Sequence, residues 1–157
     1  MKGTIPEGFT SLTPTLVFKD TRKAINFYKE AFGAKECYCM PGPNGQGVMH
    51  AEVMIGNSIV MMNDEFPQQQ VKSAESLGVS PVNFYLYVDD VDASFARALA
   101  AGGEQEMAVQ DMFWGDRAGS FKDPFGYNWM LATHVKNLTP EEMADAASKF
   151  FESNKCP

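Results

Sequence analysis

A chain of 157 residues holds one domain's worth of sequence, and its 45% hydrophobic and 21% charged residues are ordinary globular values that exclude disordered and fibrous classes. Thirteen basic against twenty acidic residues leave a formal net charge of −7 without a basic stripe, so no nucleic-acid partner is expected. No apolar run reaches the roughly 18 residues of a membrane span, residues 1–8 lack an apolar signal core, and three cysteines at unhelpful spacings suit a reduced compartment, so a cytoplasmic protein with no membrane partner is expected.

The first pattern is Leu12-Thr-Pro-Thr-Leu-Val-Phe-Lys19, an alternating run that predicts a strand, with Pro14 near its start. Asp20 can cap a helix whose stripe is Ala24, Ile25, Tyr28, Ala31 and Phe32, ending at Gly33. Three short strands follow at about 35–40, 47–55 and 58–63, parted by the turns Pro41-Gly-Pro-Asn-Gly45 and Gly56-Asn57. Residues 64–81 are polar with a Pro near each end and read as a linker. Then the pattern recurs: a strand over Val82–Val88, a helix capped by Asp90 or Asp92 with Val91, Phe95, Ala98 and Leu99 as its stripe, and strands at 105–112, 116–122 and 127–133. A shift of seventy residues superposes Asp20 on Asp90, Gly33 on Gly103 and Gly56 on Gly126. The chain is two copies of a βαβββ unit, about 10–63 and 82–134. A C-terminal helix follows over about 140–153, announced by the capping box of Thr139-Pro-Glu-Glu142.

Paired βαβββ units resemble the vicinal oxygen chelate superfamily of glyoxalases, bleomycin-resistance proteins and extradiol dioxygenases. Ala24-Ile-Asn-Phe-Tyr-Lys-Glu-Ala-Phe-Gly33, His50-Ala-Glu52, Met112-Phe-Trp-Gly-Asp-Arg-Ala-Gly119 and Asp123-Pro-Phe-Gly-Tyr-Asn-Trp129 are similar to its PhnB-like branch. The resemblance implies an α+β fold in which two βαβββ modules form a curved mixed sheet with a cupped cleft, and a homodimer, in which exchange of elements between chains is open. A methyltransferase name current in that branch finds no support here. Its nucleotide-type cofactor needs a Gly-rich turn between a strand and a helix, whereas Gly42-Pro-Asn-Gly-Gln-Gly47 leads into a strand.

Metal-dependent members of the superfamily hold their ion with one residue on the first and one on the last strand of each module. The matching positions here are Thr13 and Asn83, with Val60 (Met61 if the register slips by one) and Met130. Divalent sites of this kind want imidazole nitrogen or carboxylate oxygen, so no metal or other cofactor is expected at those four. His50 and Glu52, two apart on a strand, share a face. They read as a hydrogen-bonded polar pair or a solvated face, with a displaced metal or a proton-transfer pair as the chemical alternatives. His134 reads as a hydrogen-bonding residue at a strand end, and Cys37 and Cys39 as packing residues sharing a strand face. The expected ligand cleft is Thr13, Thr15, Met62, Asn83, Tyr85, Tyr87, Trp114 and Met130, apolar with hydroxyls, with Phe113, Trp114 and Asp116 by a loop at its mouth. Two functions follow: a binder of a small organic molecule, or a lyase, isomerase or dioxygenase-type enzyme working through His50 and Glu52.

Overall fold

The computed structural model describes residues 4–68 and 70–153; Cys156 lies outside them. In chain order the elements are β1 (Thr15–Phe18), α1 (Thr21–Phe32), β2 (Lys35–Pro41), β3 (Val48–Ile55), β4 (Ser58–Asp64), α2 (Ala74–Leu77), β5 (Asn83–Tyr87), α3 (Val91–Ala100), β6 (Glu104–Asp111), β7 (Asp116–Lys122), β8 (Asn128–His134) and α4 (Pro140–Ser153). The repeat is visible first in its caps. The Asp20 carboxylate accepts from Lys23 N at 3.1 Å and the Asp90 carboxylate from Ala93 N at 3.0 Å, so each satisfies an otherwise unpaired donor at a helix start. Gly33, at φ 67°, closes α1 in the left-handed conformation that glycine adopts without strain. At α4 the capping box forms in both directions: Thr139 N donates to Glu142 Oε2 and Glu142 N to Thr139 Oγ1. The linker carries one helical turn, α2, where sequence reading expects only loop. Ser73 caps it, and Glu65 accepts from both Ser73 N and Ser73 Oγ at 2.6 Å.

Each module forms its own four-stranded mixed sheet, ordered β1-β4-β3-β2 and β5-β8-β7-β6. In each, the first strand runs parallel to the last and the other pairs are antiparallel. The chain is therefore α+β, two βαβββ modules with a C-terminal helix. One face of each sheet packs on the helices. Leu16, Phe18, Val53, Val60 and Met62 from the first sheet join Phe121, Trp129 and Leu131 from the second in a single core with α1 and α3 between them. The Phe32 ring on α1 packs tilted against Trp129 on β8, centroids 4.7 Å apart, and Arg97 on α3 donates to Ala31 O, so the modules interlock through their helices. The other face of each sheet is turned outward, away from those helices.

Within the first module the register corrects two sequence assignments. Glu52 pairs with Met61, and Thr15 pairs with Met61 on its other side, so Met61 is on the open face. Val60 and Met62 are on the helix face and buried, Met62 completely. The physical reason is hairpin length. The β3–β4 hairpin closes around the two residues Gly56-Asn57, whereas β7 and β8 are joined by the five residues 123–127. Thr15 and Tyr85 stand seventy apart but their partners Met61 and Met130 sixty-nine, so a uniform seventy-residue shift is one residue out by the last strand. The assignment of side-chain faces on β2 changes too: a bulge between Glu36 and Tyr38 breaks the alternation, so Cys37 and Cys39 do not share a face.

Candidate functional site

On the outward face of the first sheet, one ladder row reads Thr15, Met61, Glu52 and Tyr38, and the next brings Met40 opposite His50. Thr13 lies just before β1, half-buried, with its hydroxyl donating to Thr10 O. His50 and Glu52 do meet, Nε2 to Oε1 at 3.2 Å, beside the Tyr38 ring. A third chelating group is missing: no cluster of three His, Cys, Asp or Glu side chains occurs among the described residues. The positions that hold metal elsewhere in the superfamily present Thr13, Met61, Asn83 and Met130. A hydroxyl, two thioethers and an amide do not fit a divalent ion, which needs imidazole or carboxylate donors.

The second sheet is richer. Alternation along β5 puts Asn83, Tyr85 and Tyr87 outward, and pairing sets Tyr85 beside Met130 and Asn83 beside Asn128, whose Nδ2 donates to Asn83 Oδ1. Here a cavity of about 360 Å³ opens, lined by Asn83, Phe84, Tyr85, Glu106, Ser120, Asn128, Trp129 and Met130. Its lining joins aromatic and thioether surface to a few polar groups, as ligand cavities do. A larger hollow of about 560 Å³ lies elsewhere, between the start of α1 and the end of β2, and is mostly polar. At its wall Arg22 donates to Cys39 Sγ at 2.7 Å and to Glu36 at 2.9 Å. Cys39 therefore has a guanidinium beside it that no sequence neighbour foretells.

Beside the second-sheet cavity sits a carboxylate that sequence reading placed only at the mouth. Asp116, at the start of β7, is 2% exposed. Its Oδ2 accepts from Tyr85 Oη at 2.6 Å, Tyr87 Oη at 3.1 Å and Trp114 Nε1 at 3.1 Å, while Oδ1 faces His134 Nδ1 at 2.7 Å. Burial pushes the Asp116 carboxyl up, but hydrogen bonds from Tyr85, His134, Tyr87 and Trp114 outweigh it and hold the group below its ordinary range. Burial, and then the bond to Asp116, push the Tyr85 phenol well above its ordinary value. His134 is raised in turn, chiefly by its bond to Asp116 and then by Asn137. Asp116 thus fixes the orientation of two tyrosines and of Trp114, whose indole also donates to Tyr85 Oη. Phe113, just before Trp114, packs its ring at a tilt against Phe150 and Phe151 of α4. The one signal in the sequence for this hub was Asp116 itself, an acidic residue directly after Trp114-Gly115 at the opening of a strand.

Comparison with known proteins agrees with this architecture. The family model described as Glyoxalase/Bleomycin resistance protein/Dioxygenase superfamily matches residues 11–131. An uncharacterised Mycobacterium bovis protein is 43% identical over 141 residues, 88% of this chain and 92% of its own length. Among solved structures, TioX from Micromonospora superposes with a TM-score of 0.64 at 25% identity, over 80% of this chain and 99% of its own. A Bacillus cereus PhnB protein, described as a 3-demethylubiquinone-9 3-methyltransferase, superposes at 0.63 with 19% identity, over 79% of this chain and 99% of its own, which is a likeness of fold alone. No helix among the described residues is long and apolar enough to cross a membrane.

Proposed function

The chain belongs to the glyoxalase/bleomycin resistance/dioxygenase superfamily, and on that premise we propose that it binds a small, largely apolar organic molecule in the cavity of its second sheet. The observation that carries the reading is the lining. Tyr85 and Met130 project aromatic and thioether surface into about 360 Å³, and Ser120, Asn83 and Asn128 supply polar contacts for orientation. The metal-binding positions of the superfamily hold no suitable donors, which favours binding over metal-assisted turnover. The acid–base alternative at His50 and Glu52 has less support, because that pair sits on the other sheet, apart from this cavity.

The occupied form is a homodimer in this reading. The outward sheet faces leave Tyr38, Met40, Tyr85 and Tyr87 exposed, and β1 and β5 each end a sheet with one edge unpaired. Exposed Cys37, unbonded to any described cysteine, fits a reducing, cytoplasmic setting.

Native mass spectrometry of the protein as purified tests the binding. The expected result is a small-molecule adduct on the native chain that is absent from Ser120→Trp, in which the new ring fills the cavity. If the native chain carries no adduct and no member of an aromatic fragment library shifts the NMR signals of Ser120 or Met130, the reading is wrong. Light scattering should give a mass near twice 17.3 kDa; a monomer at micromolar concentration removes the dimer.

A further inference from the structure

His134 ends β8, and both of its ring nitrogens face acceptors. Nδ1 lies 2.7 Å from Asp116 Oδ1, and Nε2 lies 2.9 Å from Asn137 Oδ1. A neutral imidazole carries one proton and can satisfy one of these two; only the imidazolium donates to both. Asn137 belongs to the strap of residues 135–139 that joins β8 to α4. That strap is also fixed to the loop before β7, because Val135 N and Lys136 N both donate to Gly115 O, next to Trp114, whose indole donates to the cavity residue Tyr85. Gly115 is at φ 96°, and a Cβ there would collide with the Lys136 carbonyl, so the strap and the Trp114 loop meet backbone to backbone. Beyond the strap, α4 returns Phe150 and Phe151 to Phe113 on the same loop.

We propose that His134 is a proton-operated clasp: as an imidazolium it fastens the strap to the Asp116 carboxylate, and when it loses its proton it lets go of Asn137 and loosens the loop that carries Trp114. That this regulates ligand access rests on the binding reading above; the clasp itself does not. The groups facing His134 are Asp116 from β7, Asn137 from the strap, and Tyr87, Asp89 and Thr133 around the open hollow it borders. Tyr85 and Trp114 act on the other oxygen of Asp116. The sign follows from the charge. A histidine raised by its partners contributes order that is complete below its ordinary value of about 6.5 and fades as pH rises through its higher folded value.

Only two histidines and two tryptophans are present, so NMR on the unliganded chain reads the clasp directly. The His134 ring should show both nitrogens protonated at pH 6 and titrate above about 6.5. At the same midpoint the Trp114 indole signal should move, and amide exchange across residues 136–139 should quicken roughly fivefold beyond the intrinsic effect of pH. Asn137→Ala should lower the His134 midpoint and give fast strap exchange already at pH 6. A His134 midpoint at or below the ordinary value, or strap exchange that ignores that midpoint, overturns the clasp, and both are read in the native chain without any variant. If the clasp titrates as stated while the cavity binds nothing, only the binding reading falls.

Discussion

The Tyr28 hydroxyl on α1 donates to Asp123 Oδ2 at 2.6 Å, joining the first module to the β7–β8 turn of the second through a bond that is fully buried. Asp123 also accepts from Trp129 Nε1 and from the backbone of Phe125 and Tyr127. Burial pushes its carboxyl up, against the pull of these four donors. Asp123→Ala should therefore strand several buried donors and cost about 3 kcal/mol or more in urea unfolding. Tyr28→Phe, which removes one donor of four, should cost about 1–2 kcal/mol. Equal costs would mean that the Tyr28 bond carries the whole effect, and no cost for Tyr28→Phe would mean that Asp123 serves the turn alone and does not hold the modules together.

Acid sensitivity should begin in the linker. Two bonds from Ser73, side chain and then backbone, hold the Glu65 carboxyl down at about 2. A carboxylate depressed in the fold contributes stability above its unfolded value of about 4.3, and that contribution is lost as pH falls from there towards 2. The prediction is that Glu65→Gln lowers the melting temperature at pH 7 and narrows its gap to the native chain as pH falls to 3. A gap independent of pH would place the effect in packing.

Divalent metal should leave the protein indifferent. Thr13, Met61, Asn83 and Met130 are poor donors, so added nickel or zinc should leave the melting temperature nearly unchanged. A rise of several degrees that a chelator reverses, and that His50→Ala abolishes, would move the metal to His50 and Glu52. A rise that survives His50→Ala would show that these four positions bind after all.

Gly115→Ala should be among the more damaging single-methyl changes in the chain. The left-handed φ and the nearby Lys136 carbonyl both oppose a Cβ, so a loss of about 2 kcal/mol or more is expected from denaturant unfolding. Gly45→Ala also strains a left-handed residue, but its added methyl meets open space, so a smaller loss of about 1 kcal/mol is expected. Similar losses at both sites would mean that backbone strain, not the contact with the strap, sets the cost.

The helix caps, the βαβββ order and the capping box were legible because each is a local signal within a few residues. The register of β4 was not, because Ile59-Val-Met-Met62 is a continuous apolar run with no alternation to read. Hairpin length decides it, and hairpin length shows only once pairing is known. The Asp116 hub gathers Tyr85, Trp114 and His134 from three parts of the second module, so no sequence spacing announces it. Arg22 reaches Cys39 across a helix-to-sheet contact in the same way. What was readable was the outward face of β5, since Asn83, Tyr85 and Tyr87 alternate cleanly with Phe84 and Leu86.

The unequal hairpins also bear on how freely the halves can exchange parts. Gly56 and Gly126 occupy matching places in the repeat and both adopt positive φ, so they look like a natural point of recombination. Joining Ile55 to Gly126 there would keep a two-residue loop, yet the residue set opposite Glu52 would be Leu131 rather than Met130. Leu131 is completely buried in its own module and would now face water, with the rest of that strand turned over alongside it. The duplicated halves still share an outline, but their last strands have become committed to separate partners, and a hybrid gene spliced at the matching glycines would encode a sheet with its oily side out.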